Sequence, residues 1–166
     1  MRKPKTLDET YNSCTADGYI YEIKEANRDK IMSLMQNADI CVSSANIVIK
    51  AIRKQDKEWM SVFLSHYDAL RIYAEALLQF DRLDIPNHEC LFACLCVRRP
   101  ELELDWNFLN SARKKRNGVN YYGERISYED WKSVEVQVKM YISTLKKEIE
   151  KLLSMLTAGD CRETFK

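Results

Sequence analysis

The stretch EWMSVFLSHYDALRIYAEALLQFDRL, residues 58–83, decides the fold of this chain. Apolar side chains recur in it at steps of three and four residues, which places them on one face of an α-helix. The stretch therefore predicts an amphipathic helix that directs one stripe toward a core. That stripe carries Trp59, Val62, Phe63, Leu70, Tyr73, Ala74 and Leu77.

The same spacing continues on both sides of this stretch. Further helices are predicted over residues 23–54, from Asn87 through 96–97, over 102–117, and from Ser127 to a stop at Gly159. Gly118 is a plausible end for the fourth helix, although that helix has room to continue. The three longest would each be about 40–48 Å long, and such helices with one apolar stripe must lie side by side. We therefore predict an all-α fold, an antiparallel bundle of about five helices.

Local signals set the boundaries of these elements. Pro86-Asn87 is predicted to cap the third helix, and Ser127 with Asp130 has the spacing of a capping box, with Asp in place of the usual Glu. Residues 1–22 are polar and lack clean periodicity, as in a loosely held arm or short lead-in. The expected domain organisation is an N-terminal arm over 1–22, a helical bundle over 23–158 and a C-terminal tail over 159–166.

Length and charge restrict the class of protein. The 166 residues fit one domain, and 26 Lys and Arg nearly balance 25 Asp and Glu, so no global field indicates a nucleic-acid binder. Any binding of phosphate must come from local geometry. No apolar run approaches a membrane span, and the basic residues 1–5 are not followed by an apolar signal region. We expect a cytoplasmic protein that does not enter membranes.

The cysteines are predicted to be thiols. No C-x-x-C pair occurs among Cys14, Cys41, Cys90, Cys94, Cys96 and Cys161. In a reducing compartment such residues pack as small hydrophobes. Cys90 and Cys94 share a helix face downstream of His88, but their spacing matches no familiar zinc pattern. The sequence also lacks a glycine-rich phosphate loop and a nucleophile elbow, so we expect neither a metal nor a cofactor.

Residues 112–123, ARKKRNGVNYYG, hold the best candidate for a functional site. Helical steps back from Arg116 reach Arg113 and then an apolar stripe, so this guanidinium must be paired or must face an anion. The basic residues predicted to bind nucleic acid are Arg113, Lys114, Lys115 and Arg116. Nearby aromatic rings at Trp106, Tyr121 and Tyr122 suggest base stacking. The alternative is that Trp106 belongs to the core and that the lysines form a solvated face.

The chain has two histidines, His66 and His88. His66 falls on the apolar stripe of residues 58–83, where it is either a general base or a core residue with satisfied hydrogen bonds. His88 lies beside a predicted cap, where contact with solvent or with the helix end is expected.

The order of the helices, the segment YDALRIYAEALL (67–78), the step Ile85-Pro86-Asn87-His88 and the late Arg116-Asn117 pair together resemble the HEPN family. These are small helical proteins of prokaryotes, often encoded beside minimal nucleotidyltransferases, with relatives in RNA-processing and defence systems. The resemblance covers residues 25–157. It implies a four-helix up-and-down core with a short additional helix, and a homodimer.

The family's hallmark is an arginine, commonly followed by a polar residue, with a histidine after four to six intervening positions. Arg116 and Asn117 match its start, whereas Tyr121 or Tyr122 stands at the histidine position. In the members of this family that act as ribonucleases, cleavage is metal-independent and takes place in a dimer groove, where the arginine stabilises the phosphate charge and the histidine acts on the ribose hydroxyl. The resemblance implies the same arrangement here. Tyrosine, with a reference pKa of about 10, is a poor base near neutral pH. His66 would compensate if its helix brought it beside Arg116.

Two functions follow from this resemblance. The first is a HEPN-like protein that binds RNA or a nucleotide in a dimer groove centred on Arg116, with toxin-type ribonuclease activity weakened by the missing histidine. The second is a non-catalytic interaction module that partners a minimal nucleotidyltransferase. Some family toxins receive AMP from that partner on a tyrosine just after the histidine, and Tyr121 and Tyr122 lie near this place without matching its spacing. A blander alternative is a structural dimer in which Arg116 pairs with a carboxylate.

Overall fold

The computed structural model describes the backbone of residues 5–163 and the side chains of residues 5–156. The elements in this range are α1 (Leu7–Ala16), β1 (Tyr21–Glu22), α2 (Arg28–Ala51), α3 (Trp59–Phe80), β2 (Leu83–Asp84), α4 (His88–Arg98), α5 (Trp106–Tyr122) and α6 (Tyr128–Glu163), with a 3-10 turn at Pro100–Leu102 before α5. The predicted all-α bundle is confirmed, with a sixth α-helix in the described range. Part of the basic N-terminus (residues 1–4) and the end of the predicted tail (164–166) lie outside it.

Helix α3, formed by the stretch that decides the fold, is the centre of the bundle. It packs most extensively against α2 and then α6, and it also contacts α4 and α5. Fourteen of its 22 residues are buried, so it is covered on more than the single predicted stripe. Helices α2 and α3 pack along each other. Because the connection between them, residues 52–58, is short, the two helices are antiparallel.

The N-terminal lead-in is more ordered than its polar sequence predicts. Residues 7–16 form α1, whose first turn is held by a capping box between Thr6 and Glu9. Helix α1 packs on α4, and a disulfide bond joins Cys14 to Cys90. The prediction that all cysteines are thiols is therefore wrong for this pair. Long-range pairing of two cysteines cannot be read from spacing alone, because it depends on which helices the fold brings together.

A small sheet explains why two predicted helix boundaries were too generous. Tyr21 and Glu22, at the end of the predicted arm, pair antiparallel with Asp84 and Leu83, and the N–H of Ile23 donates to the Arg82 carbonyl at 2.9 Å. Ile23 and Leu83 therefore take part in cross-strand hydrogen bonding where the periodicity predicted helix. Helix α2 consequently begins only after Asn27, whose side chain accepts a hydrogen bond from Lys30 N–H at 3.0 Å. At the other strand, α3 ends at Phe80 rather than residue 83.

Helix α5 is shifted along the chain relative to its prediction. It begins at Trp106, after the Asp105 cap, and continues through Gly118 to Tyr122. Gly118 therefore does not end the helix. A β-carbon at this position would lie 2.1 Å from Oε2 of Glu124, whose side chain folds back over it. The helix ends instead at Gly123, whose φ of 69° is the left-handed conformation that glycine adopts at helix ends.

The predicted caps of α4 and α6 are confirmed. The Asn87 side chain accepts hydrogen bonds from the backbone N–H groups of Glu89 and Cys90 at 2.9 and 3.2 Å. Ser127 and Asp130 bond reciprocally at 3.0 and 3.1 Å, as in a capping box. Helix α6 runs to Glu163, so Gly159 does not end it. None of the described helices is long and apolar enough to cross a membrane.

The disulfide should contribute measurably to stability. A Cys14→Ser/Cys90→Ser variant is expected to lose about 2–4 kcal/mol of unfolding free energy, because the bond closes a long loop in the unfolded chain. Urea unfolding of the oxidised protein and the variant measures this loss. Cys41→Ser, at a free cysteine, is the control. A midpoint for the double variant equal to that of the wild type would contradict the expectation.

Candidate functional site

A polar cavity of about 290 Å³ lies where the start of α4 meets the second half of α5. Helix α5 contributes the predicted residues Arg113, Arg116, Asn117 and Tyr121, so four of the predicted site residues line one cavity. The segment that opens α4 supplies the other wall, which is formed by Pro86, Asn87, His88 and Glu89.

Arg116 is held by amides and an aromatic ring. Its Nη1 donates to Asn117 Oδ1 at 3.2 Å, and the Asn120 amide, with its oxygen toward the guanidinium, accepts from Nε and Nη2 at 3.2 and 3.3 Å. Its Cζ lies 6.0 Å from the ring centroid of Tyr67. Among residues 5–156 Arg116 forms no salt bridge, so within a single chain it lacks the carboxylate partner that the structural-dimer alternative gives it.

The neighbouring basic residues are arranged differently. Arg113 donates to Glu89 at 2.6 Å and to Asn110 at 2.9 and 3.1 Å, and only 15% of its side chain is exposed. Lys115 bonds Asp130 at 2.7 Å, and this contact is the main reason that the pKa of Asp130 falls to about 2. Two of the four predicted phosphate-binding residues are thus matched by carboxylates, while Lys114 is exposed on the surface.

His88 also lines the cavity, a position that was not predicted from the sequence. Its Nδ1 lies 3.1 Å from the Tyr67 hydroxyl. Tyr67 is 1% exposed, and burial raises the pKa of its hydroxyl above the usual range, so it remains a phenol. His88 itself is half-buried. The predicted contact with solvent or the helix end is therefore only part of its environment.

The electrostatics of the cavity keep His88 neutral. Burial is the largest cause that lowers its pKa, to about 4, and the charges of Arg71, Arg116 and Arg113 act in the same direction. Asp68 opposes them. A neutral imidazole with one nitrogen bonded to Tyr67 can accept a proton at the other nitrogen, or can accept a hydrogen bond there.

His66, the other predicted candidate, lies on a different cavity. It is fully buried, its Nδ1 donates to the Val62 carbonyl at 2.9 Å, and its ring lies 4.5 Å from that of Trp131. The cavity that it lines is formed with α2 and α6 and does not include Arg116. The condition under which His66 would replace the motif histidine is therefore not met in this chain.

The aromatic candidates divide between surface and core. Tyr121 and Tyr122 are 71% and 80% exposed, and only Tyr121 lines the cavity. Trp106 is 6% exposed and belongs to the main core, as the alternative interpretation held. Among the described side chains, residues 5–156, no group of three or more His, Cys, Asp or Glu is placed to hold a metal ion.

One local signal points to the position of His88. It lies immediately after the Asn87 cap, so its position at the first turn of α4 was predictable. Tyr67, the partner of His88, was not among the residues of the predicted apolar stripe of α3, so its burial was not predicted. What the sequence could not give is the packing of α4 against α3 and α5 that brings His88, Tyr67 and Arg116 together.

Comparisons with protein-family models, with curated proteins and with solved structures found no match to this chain.

The lowered pKa of His88 predicts a pH-dependent stability. The unfolded chain takes up this proton near pH 6.5 and the folded chain only near the pKa of about 4, so unfolding free energy should fall as pH drops between these values. Because His88 is half-exposed, the loss is on the order of 1 kcal/mol. Urea titrations across this range should show a flatter pH dependence for His88→Gln. His66, whose pKa is also lowered, is unchanged in both proteins, and an equal slope in the two would contradict the assignment.

Proposed function

We propose that this protein is a divergent HEPN-like protein that binds the phosphate backbone of RNA at the cavity around Arg116. One observation carries the proposal. Arg116 presents its charge to the cavity with only amide and aromatic partners, whereas its neighbours Arg113 and Lys115 are matched by carboxylates. A guanidinium so placed lacks a counter-charge that phosphate can supply bidentately.

The surroundings of the cavity suit a single-stranded nucleic acid. Tyr121 is exposed at its edge and Tyr122 adjoins it, and both rings are accessible for stacking on bases. Asn117 and His88 add polar groups that can bond phosphate or ribose oxygens. With a net charge of +1, the chain has no broad basic surface. Binding is therefore expected to be local, with few phosphate contacts and a shallow salt dependence.

Binding of a fluorescent single-stranded RNA tests this function. Arg116→Ala should weaken binding about tenfold or more, and should make the slope of affinity against salt shallower by about one ion. Arg53→Ala, the same change at an exposed arginine in the α2–α3 connection, is the matched control and should bind as the wild type does. Equal affinity of Arg116→Ala and wild type would refute the proposal.

The resemblance also predicts a homodimer in which two Arg116 cavities face one groove. Light scattering should then give a mass of twice 19.5 kDa at micromolar concentration. A mass equal to one chain would count against the shared groove and would leave each cavity as an independent site.

The high exposure of Tyr121 and Tyr122 also favours the second candidate, an interaction module for a minimal nucleotidyltransferase. Their hydroxyls are accessible to an enzyme that transfers AMP. Absence of RNA binding together with adenylylation of the wild type, lost in Tyr121→Phe/Tyr122→Phe, would favour the module over the RNA-directed function.

A further inference from the structure

We propose that His88, positioned by Tyr67, is the proton acceptor for cleavage of RNA in the Arg116 cavity, in the role that the motif tyrosines cannot fill. This inference rests on the proposed function, because it requires RNA to bind at Arg116. It adds a catalytic residue from a different helix, 28 positions before Arg116 in the sequence.

Geometry supports His88 over every other side chain of the cavity. It is the one histidine among the residues that line this cavity, and it faces Arg116 and Asn117 across it. Its Nδ1 is engaged by Tyr67, while Nε2 has no hydrogen-bond partner among the described residues and is not among their buried unsatisfied atoms. Nε2 is therefore the nitrogen available to a bound molecule.

Tyr67 fixes both halves of the site. Its hydroxyl can accept the Nδ1 proton of His88, which leaves the lone pair on Nε2, the tautomer that a base needs. The face of the same ring lies under the guanidinium of Arg116. Because Tyr67 also packs against Phe63 and Phe92 in the core, its own position is well determined. Tyr67 is thus a positioning residue for the base and for the arginine.

The charges around His88 suit a base that gains strength when substrate binds. Arg71 from α3 and Arg113 and Arg116 from α5 face it, together with Asp68 from α3; within α4 itself, Glu89 is bonded to Arg113. In the free protein burial is the main cause that disfavours the imidazolium, and this excess of positive charge acts in the same direction. A bound phosphodiester offsets the contribution of the charges, which moves the pKa of His88 upward, toward the range in which a base is effective.

The chemical step is an internal transesterification. The ribose 2′ oxygen attacks the adjacent phosphorus and forms a new P–O bond, while its proton passes to Nε2 of His88. The bond from phosphorus to the 5′ oxygen of the next nucleotide breaks, and that oxygen takes a proton from water. The resulting hydroxide is neutralised by the proton on His88. Arg116 stabilises the charge that develops on the non-bridging oxygens. The products are a 2′,3′-cyclic phosphate and a 5′-hydroxyl end.

The test compares binding and cleavage of one RNA by wild type, His88→Gln, Tyr67→Phe and the Arg53→Ala control. We expect cleavage by His88→Gln to fall about 100-fold or more with RNA affinity within about threefold of wild type. Tyr67→Phe should lose about tenfold, with an altered pH profile. In wild type the rate should rise with pH through the pKa of the base and then level off, and this rise should be absent from His88→Gln. The matching DNA should not be cleaved.

The outcomes separate this inference from the function on which it rests. RNA binding without cleavage by the wild type, or cleavage by folded His88→Gln at the wild-type rate, overturns the role of His88 and leaves RNA binding intact. No binding by any variant overturns the proposed function itself. If circular dichroism shows that His88→Gln does not fold, the decision passes to Tyr67→Phe, for which an unchanged rate and pH profile would overturn the inference.

Discussion

Helix α3 buries side chains toward α2, α4, α5 and α6, and each of these helices must present an apolar face to it. The positions of these four helices are set by this requirement, since a long helix surrounded by neighbours fixes their separation through the sizes of its side chains. The large residues Phe63, Tyr67 and Tyr73 are all at most 1% exposed. Changes at these positions would therefore be felt throughout the bundle.

Tyr67 belongs to the core and to the polar cavity at the same time. Its ring packs against Phe92 of α4 at a centroid distance of 6.0 Å, and its hydroxyl reaches His88. The stability of the core is thus used to hold polar groups at the edge of the bundle in one arrangement. The carboxylates of Glu89 and Asp130 also keep the site in one arrangement, because they form salt bridges with Arg113 and Lys115 beside Arg116.

The local features of the fold were predictable, and the long-range ones were not. Periodicity identified the residues of α2 to α6, and cap chemistry identified Asn87, Ser127 and Asp130. The polar helix α1 was not predicted, although Thr6 and Glu9 have the spacing of a capping box. Its contact with α4 and the bond from Cys14 to Cys90, which hold it on the bundle, have no local signature. The two-residue strands were not predicted either, because their hydrogen bonds join segments about 60 residues apart in the chain.

The candidate site was predictable in the same measure. Arg116, Asn117 and Tyr121 lie on one helix, so their proximity follows from helical spacing and from the resemblance of the motif. His88 and Tyr67 come from two other helices, and only the packing of three helices brings them to Arg116. The choice of His66 over His88 shows the limit of a stripe argument: a position on an apolar face predicts burial, which His66 has, but not which cavity the side chain reaches.

The lead-in before α2 is fastened twice, by the disulfide to α4 and by the strand pair with residues 83–84. A fragment cut to begin at residue 23 would match the periodic part of the sequence but would leave β2 with an unpaired edge and uncover apolar side chains of α4. Such a fragment would expose an apolar, aggregation-prone surface a few residues from His88. The smallest piece of this chain suited to separate expression therefore includes α1.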